Sequence, residues 1–218
     1  MPIEEVLAGM PVREFRAWRG RRHYSGWYWS STTGGHVVYE SRLELARILR
    51  ADHDPEVVAI AAQPFLLVGV DGGRVRRDVP DLLLAHRDGA VTVVDVKSAA
   101  RVDTAAVSAQ FAWTEKVCAA HGFGFEVWSG GDQVLLENVR FLAGYRRPST
   151  VCAELMSAVV AAAAEPVSIA ELERMLVRSG PAGVVRPAIL SLLWRSRLRA
   201  DLSRPLDGDA VVVAGAAA

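Results

Sequence analysis

Asp95 and Lys97 are the residues whose type and spacing most directly suggest chemistry in this chain. They close the apolar run that begins at Val91, and only two of the 25 basic residues are lysines. A lysine kept two residues after an aspartate, in a chain that otherwise uses arginine, favours a site that needs a compact ammonium. Because side chains alternate along a strand, we expect Asp95 and Lys97 to share one face of a sheet.

Further acidic residues precede this pair. Asp81 follows Pro80 at the start of another apolar run, and a hairpin would bring Asp81 and Asp95 to one edge of the sheet. Glu44 lies on a helical pattern upstream, and Glu40, one helical turn earlier, is the alternative acid. A Mg²⁺ ion, or Mn²⁺ in its place, needs only a few protein oxygens. The expected ligands are Asp81, Asp95, Glu44 and the main-chain carbonyl of Val96.

Hydrolysis of a phosphodiester bond is the chemistry that this set fits. It requires an activated water and neutralisation of the charge that develops on the phosphate, and carboxylate-bound metal ions provide both. The ammonium of Lys97 can orient the water or stabilise that charge. The Asp-x-Lys triplet alone is weak evidence, since a strand end with a surface ion pair has the same pattern. The order of the acidic and basic residues along helix, hairpin and strand is more specific.

Hydrophobic periodicity predicts the elements that position these residues. Apolar residues recur at helical spacing between Ser41, a candidate N-cap, and Ala51. The nearly continuous apolar strands indicate a sheet covered on both faces. Gln110, on a helix after Lys97, is a candidate supporting residue of the site. Strands are predicted at 65–70, 79–85, 91–96 and 125–128, with the apolar residues 57–60 leading into the first of them, and helices at 103–121, with Asp103 as its cap, and about 131–142.

The N-terminal segment, residues 1–35, is rich in arginine and aromatic residues between 11 and 35. Such a mixture is typical of surfaces that meet phosphates and stack on bases. It also fits an arm that packs its aromatic residues on the core and leaves its arginines in solvent, and the sequence favours neither reading. The candidate DNA-binding residues are Arg13, Arg16, Arg19, Arg21 and Arg22.

A small second domain is predicted at residues 150–218, after a linker-like Tyr145–Ser149. Three helices followed by a terminal hairpin are typical of a winged-helix module. The predicted helices are 151–164, 169–177 with Ser168 as its cap, and 187–196, and the hairpin spans 198–213. The main domain then occupies residues 36–146.

Composition narrows the function classes. A formal net charge of zero disfavours a protein that grips nucleic acid by bulk electrostatics alone, so DNA contacts must be local or assisted by a partner. Cys118 and Cys152 share no metal-binding spacing and are expected to be reduced thiols of a cytoplasmic protein. No signal peptide and no membrane span is expected.

On these motifs the chain resembles the PD-(D/E)xK nuclease superfamily, and more narrowly the TnsA-type endonuclease subunits of heteromeric transposases. The resemblance covers residues 36 to 146, about half of the chain. The residues that carry it are Tyr39–Glu44, Asp54–Ile60 with Gln63–Phe65, Pro80-Asp81 and Val94–Lys97.

The resemblance implies an α/β, restriction-endonuclease-like fold with a mixed sheet flanked by helices. Glu44, Asp81 and Lys97 match the catalytic residues of that family, and Asp95 matches the variable position before the lysine. It also implies Mg²⁺-dependent cleavage of one DNA strand at transposon ends. The implied partners are DNA, a DDE-type transposase that cuts the other strand, and an AAA+ regulator bound through the C-terminal domain.

Two alternatives remain at this stage. One is a stand-alone PD-(D/E)xK nuclease of restriction or repair, which would use the same residues. The other is a non-catalytic adaptor on the same fold that binds DNA or a partner protein. Four clustered charges argue against the adaptor, because a scaffold has no need to desolvate them.

Overall fold

A computed structural model of the chain describes residues 3–13, 24–147, 153–177 and 183–215. The chain divides into two compact units, Met1–Gly130 and Gly131–Ala218. The first unit contains helices α1 (Ile3–Leu7), α2 (Arg42–His53), α3 (Ala99–Val102) and α4 (Ala105–Ala120). Its strands are β1 (Gly26–Ser30), β2 (Gly35–Tyr39), β3 (Val57–Ala62), β4 (Leu67–Asp71), β5 (Arg74–Asp78), β6 (Leu82–His86), β7 (Val91–Val96) and β8 (Gly124–Trp128).

A four-stranded mixed sheet of order β3-β6-β7-β8 forms the centre of the first unit. The β3–β6 and β6–β7 pairs are antiparallel, and β8 returns parallel to β7 after α4. The register sets Leu82 opposite Val94, so the start of β6 lies beside the end of β7. This register brings Asp81 close to the Asp95-Val96-Lys97 segment. The predicted α/β class, with a mixed sheet flanked by helices, is confirmed.

Both faces of the sheet are buried. Leu82, Leu83 and Leu84 are successive residues of β6, and each is at most 1% exposed, although successive side chains of a strand point to opposite faces. Leu83 packs in a cluster with Val93, with Val6 of α1 and with Cys118 of α4. The predicted covering of both faces is therefore confirmed.

Two hairpins stand outside the central sheet. β1 pairs with β2, and β1 lies within the N-terminal segment 1–35 while β2 lies almost wholly after it. β4 pairs with β5 across the turn at 71–73, whereas the strand after β4 was predicted to begin only near Val79. The sequence of β5 is Arg-Val-Arg-Arg-Asp, so it lacks the apolar run by which the other strands were recognised.

The helix before the sheet differs from its prediction at its first turn. α2 begins at Arg42 with Ser41 as its N-cap, so Glu40 precedes the cap and lies outside the helix. Glu40 and Glu44 are therefore not stacked on one helical face. Glu40 was expected one helical turn before Glu44 only if the helix extended that far, and the helix does not.

The second unit contains α5 (Gln133–Leu142), a 3-10 helix (Ala143–Tyr145), α6 (Ala153–Ala162), α7 (Ile169–Leu176) and α8 (Val185–Trp194). Its short strands β9 (Val167–Ser168), β10 (Leu198–Ala200) and β11 (Val211–Ala214) form an antiparallel sheet of order β10-β11-β9. The predicted three helices and terminal hairpin are present, with β9 as an additional strand. None of the described helices in either unit is long and apolar enough to cross a membrane.

Candidate active site

An open cleft of about 420 Å³ lies where β7 ends. Its lining residues come from four separate stretches of the first unit. They are Arg13, Glu40, Ser41, Leu43, Glu44, Asp81, Val96, Lys97, Ser98 and Arg101. The fold thus brings the predicted residues Glu44, Asp81 and Lys97 to one place, although they are distant in sequence.

Glu44 lies in the first turn of α2, where it is part of a capping arrangement. The main-chain N–H of Glu44 donates to Ser41 Oγ over 3.1 Å, and the Ser41 hydroxyl donates to Glu44 Oε1 over 2.8 Å. Glu44 Oε2 accepts the main-chain N–H of Glu40 at 2.8 Å. Burial raises the pKa of Glu44 above its ordinary value, while these hydrogen bonds lower it. The carboxylate therefore caps the helix and lines the cleft at once.

Asp81 immediately precedes β6. Its Oδ2 accepts the main-chain N–H of Val96 at 2.7 Å, which fixes the carboxylate against the end of β7. Burial raises the pKa of Asp81 to about 6, and the nearby charge of Glu44 adds to this shift. The hydrogen bond from Val96 and the positive charge of Lys97 oppose it.

Lys97 is the first residue after β7. Its main-chain N–H donates to the carbonyl of Trp128 over 3.0 Å and so continues the β7–β8 ladder by one step. Its side chain lines the cleft, and its charge lowers the pKa of both Asp81 and Asp95. The ammonium is thus held beside the carboxylates by the backbone of the sheet.

Asp95 does not line the cleft. It is 6% exposed, and its Oδ2 has no hydrogen-bond partner among the described residues. Burial raises the pKa of Asp95 to about 8, with further contributions from Asp78 and Asp81. Asp78 in turn accepts a hydrogen bond from the Thr114 hydroxyl of α4 at 2.7 Å.

Asp95 belongs to the buried part of β7, on the same face as Val93, which packs in one cluster with Cys118 of α4. The cleft lining includes Lys97 but not Asp95, although the charge of Lys97 still acts on Asp95. That Asp95 and Lys97 share one face of the sheet stays a prediction. The role of Asp95 as a metal ligand stays a prediction.

The remaining predicted residues are divided between the cleft and other places. Glu40 lines the cleft, where its Oε2 lies 4.0 Å from the Arg13 guanidinium and 3.5 Å from Gln63 Nε2. Gln110 is not among the cleft residues, and its amide donates to the carbonyl of Arg77 over 3.3 Å. The other candidate DNA-binding residues, Arg16, Arg19, Arg21 and Arg22, lie outside the described residues.

Arg101 is a cleft residue that the sequence did not reveal. It belongs to α3, the single turn of helix that follows Lys97 and Ser98. The available signal was its position four residues after Lys97. That signal is weak, because the direction in which the chain leaves a strand cannot be read from periodicity.

No protein-family model and no curated protein matches this chain. The site is therefore judged on its own geometry and charge.

The donor set fits a magnesium ion held by few protein oxygens. Among the described residues, no group of three or more histidine, cysteine, aspartate or glutamate side chains is placed to bind a metal. Magnesium, however, keeps several waters and is commonly bound through one or two carboxylates. Glu44 and Asp81 supply two carboxylates in the cleft, and burial has raised the pKa of both. A divalent cation would offset the cost of keeping these two groups ionised away from water.

Proposed function

We propose that this chain is a metal-dependent DNA endonuclease subunit of a transposase. It would hydrolyse one DNA strand at the transposon ends, together with a DDE-type partner that acts on the other strand. The observation that carries the proposal is the meeting of Glu44, Asp81 and Lys97 in one cleft at the end of β7. Two desolvated carboxylates beside a lysine are suited to phosphodiester hydrolysis.

The cleft residues would have separate roles in that reaction. Held by Glu44 and Asp81, Mg²⁺ would supply Lewis-acid activation of the phosphate and of the attacking water. Asp81 must be ionised for this, which its pKa of about 6 permits near neutral pH. The Lys97 ammonium can stabilise the negative charge that grows on the phosphate, and the low polarity around a buried site strengthens that interaction.

The transposase assignment rests on the resemblance in sequence and agrees with the charge of the chain. With a formal net charge of zero, the chain has little bulk attraction for DNA. Recognition of the transposon ends would then depend on the partner and on local contacts at the cleft. A stand-alone restriction or repair nuclease would use the same cleft residues, and the need for a partner distinguishes the two.

One observation favours the adaptor alternative. Both cleft carboxylates also have structural partners, since Glu44 caps α2 and Asp81 accepts the N–H of Val96. A scaffold without catalysis could retain them for these hydrogen bonds alone. Measurement of strand cleavage separates this alternative from the proposal.

The deciding experiment supplies the purified chain with Mg²⁺, its cognate transposase and DNA that carries a transposon end. We expect strand-specific nicks, and we expect Asp81→Ala and Lys97→Ala each to reduce nicking by at least about 100-fold. Lys116→Ala is the matched control, because Lys116 is the other lysine of the chain and lies exposed on α4.

Each result has a defined meaning. If Asp81→Ala and Lys97→Ala nick as well as the parent chain, the assignment of the site is wrong. Efficient, specific cleavage without the transposase favours the stand-alone nuclease. DNA or transposase binding without any nicking favours the adaptor.

A further inference from the structure

We propose that Arg101, together with Lys97 and Arg13, forms a phosphodiester-binding subsite that holds the backbone of the nucleic-acid strand entering the cleft. The inference rests on the proposed nucleic-acid substrate, although it does not require that the strand is cut. It extends the proposed function by naming the basic side chains that bind the phosphate backbone of the substrate.

The cleft carries equal numbers of acidic and basic side chains. Its acids are Glu40, Glu44 and Asp81, and its bases are Arg13, Lys97 and Arg101. The basic side chains nevertheless have few ion pairs among the described residues. Arg13 reaches Glu40 only at 4.0 Å, and among the described residues no ion pair involves Lys97 or Arg101.

The backbone holds Arg101 beside Lys97. The chain leaves β7 at Val96, and one turn later the main-chain N–H of Arg101 donates to the carbonyl of Ser98 over 2.8 Å. The residue itself is exposed, so its guanidinium keeps its donors available to a ligand. A guanidinium offers two parallel N–H groups that match two oxygens of a phosphate.

A phosphodiester fits this division of charge better than a simple cation or a neutral ligand does. The acids of the cleft favour a cation, whereas Lys97 and Arg101 favour an anion in the same space. A phosphodiester spreads its negative charge over two non-bridging oxygens, so the basic side can bind both while one of them also contacts a cation bound at the acidic side. The charge of Arg13 also acts on the acidic side of the cleft, because it lowers the pKa of both Glu44 and Asp81.

The test measures binding of the full chain to a fluorescent duplex by anisotropy, with EDTA present and at several NaCl concentrations. Arg101→Gln removes the positive charge and the parallel N–H donors of the guanidinium. We expect it to weaken binding about 5- to 20-fold and to reduce the slope of log K against log salt by about 0.9, the amount for one phosphate contact. Arg101→Lys keeps the positive charge but loses the parallel N–H donors. Its slope of log K against log salt should therefore match that of the parent chain, while its affinity for the duplex falls about threefold.

Arg87→Gln is the matched control. Arg87 is exposed and directly follows β6, at the opposite end of that strand from Asp81, and a five-residue strand spans roughly 17 Å. Its guanidinium binds the carbonyl of Pro55 at the surface. The control removes the same charge from the chain, so it reports any effect of bulk electrostatics alone.

The inference is overturned if Arg101→Gln and Arg87→Gln have the same affinity and the same salt slope. This outcome is separable from failure of the nuclease proposal, because the binding test contains no metal and no cleavage. If the parent chain never nicks DNA but Arg101→Gln loses one phosphate contact, the subsite is supported and the nuclease proposal fails. If the parent chain nicks DNA but Arg101→Gln binds the duplex equally well, the subsite is absent and the nuclease proposal stands.

Discussion

At the scale of single residues, the cleft is organised around carboxylates that are costly to keep ionised. Asp81 is the clearest case, because burial raises its pKa from an ordinary 3.8 to about 6. The folded chain therefore holds this proton more tightly than the unfolded chain does. The contribution of Asp81 to the free energy of unfolding is therefore highest below about pH 4. It falls as the pH rises to about 6 and stays reduced above that.

We therefore expect Asp81→Asn to stabilise the metal-free chain at about pH 8 by on the order of 1–3 kcal/mol, while abolishing cleavage. Asparagine is neutral and can still accept the N–H of Val96. The gain should vanish at about pH 4, where Asp81 itself is protonated. Urea unfolding at both pH values in EDTA tests this, with the exposed Asp103→Asn as control. A loss of stability at the higher pH would contradict it.

The two glutamates of the cleft differ in how their charge is compensated. Glu40 Oε2 lies 4.0 Å from the Arg13 guanidinium, whereas burial is the largest influence on Glu44 and raises its pKa, although the more distant charge of Arg13 lowers it. A desolvated carboxylate gains more from a bound cation than one that already faces a positive charge. We expect Glu44→Gln to reduce nicking at least about 100-fold and Glu40→Gln to reduce it less than about fivefold. Single-turnover cleavage rates measure both, and a reversed order would make Glu40 the catalytic acid.

At the scale of elements, periodic segments were predictable and isolated hairpins were not. The apolar runs of β6 and β7 and the helical spacing of α2 fall within a few residues of their predictions. Because Glu44, Asp81 and Lys97 lie at the ends of these elements, much of the cleft followed from the sequence. The burial of Asp95 and the presence of Arg101 in the cleft could not be predicted, since both depend on how the chain leaves β7.

The β1–β2 hairpin shows why part of the N-terminal segment could not be read. Buried Asp52, near the end of α2, accepts hydrogen bonds from the Tyr28 hydroxyl at 2.6 Å, the Ser30 hydroxyl at 2.7 Å and the N–H of Thr32 at 2.8 Å. In the sequence Asp52 only marks the end of a helix. Its partners lie twenty or more residues earlier along most of the hairpin, so no local pattern connects them.

This network gives a prediction for stability. Asp52→Ala removes the shared acceptor of several buried and partly buried donors, and we expect it to lower the free energy of unfolding by about 2–4 kcal/mol. Tyr28→Phe removes one donor and leaves Asp52 with its other partners, so its cost should be about 1 kcal/mol. Urea denaturation followed by circular dichroism compares the two. Equal costs for both variants would show that Asp52 does not organise the hairpin.

At the scale of the whole molecule, the helix α8 of the second unit is largely buried. The seven residues Ala188 to Trp194 of α8 are each at most 3% exposed. Arg186 at the start of α8 is exposed, but its guanidinium binds Glu173, with Nη2 at 2.7 Å from Oε2. A recognition helix must place several side chains in the major groove. The described residues of α8 thus offer few side chains to a DNA groove.

The division between the units also decides where the chain can be shortened. The predicted main domain ended at residue 146, whereas the compact units meet at Gly130. α5 contacts α8, and the Asn138 amide donates to the carbonyls of Leu202 and Arg204 at 2.9 and 2.6 Å. Val139 and Leu142 of α5 are fully buried. A chain that ends at 146 keeps α5 but loses α8 and these carbonyls.

We therefore expect residues 1–130 to give a soluble, cooperatively folded fragment, and residues 1–146 to aggregate or to leave α5 open to protease. Exposure of two buried aliphatic side chains costs about 3–6 kcal/mol, and the unsatisfied Asn138 amide adds to this. Size-exclusion chromatography and limited proteolysis of both fragments measure the difference, with the full chain as reference. If 1–146 is monomeric and protected while 1–130 unfolds, α5 belongs to the main domain after all, because the first unit then needs it to fold.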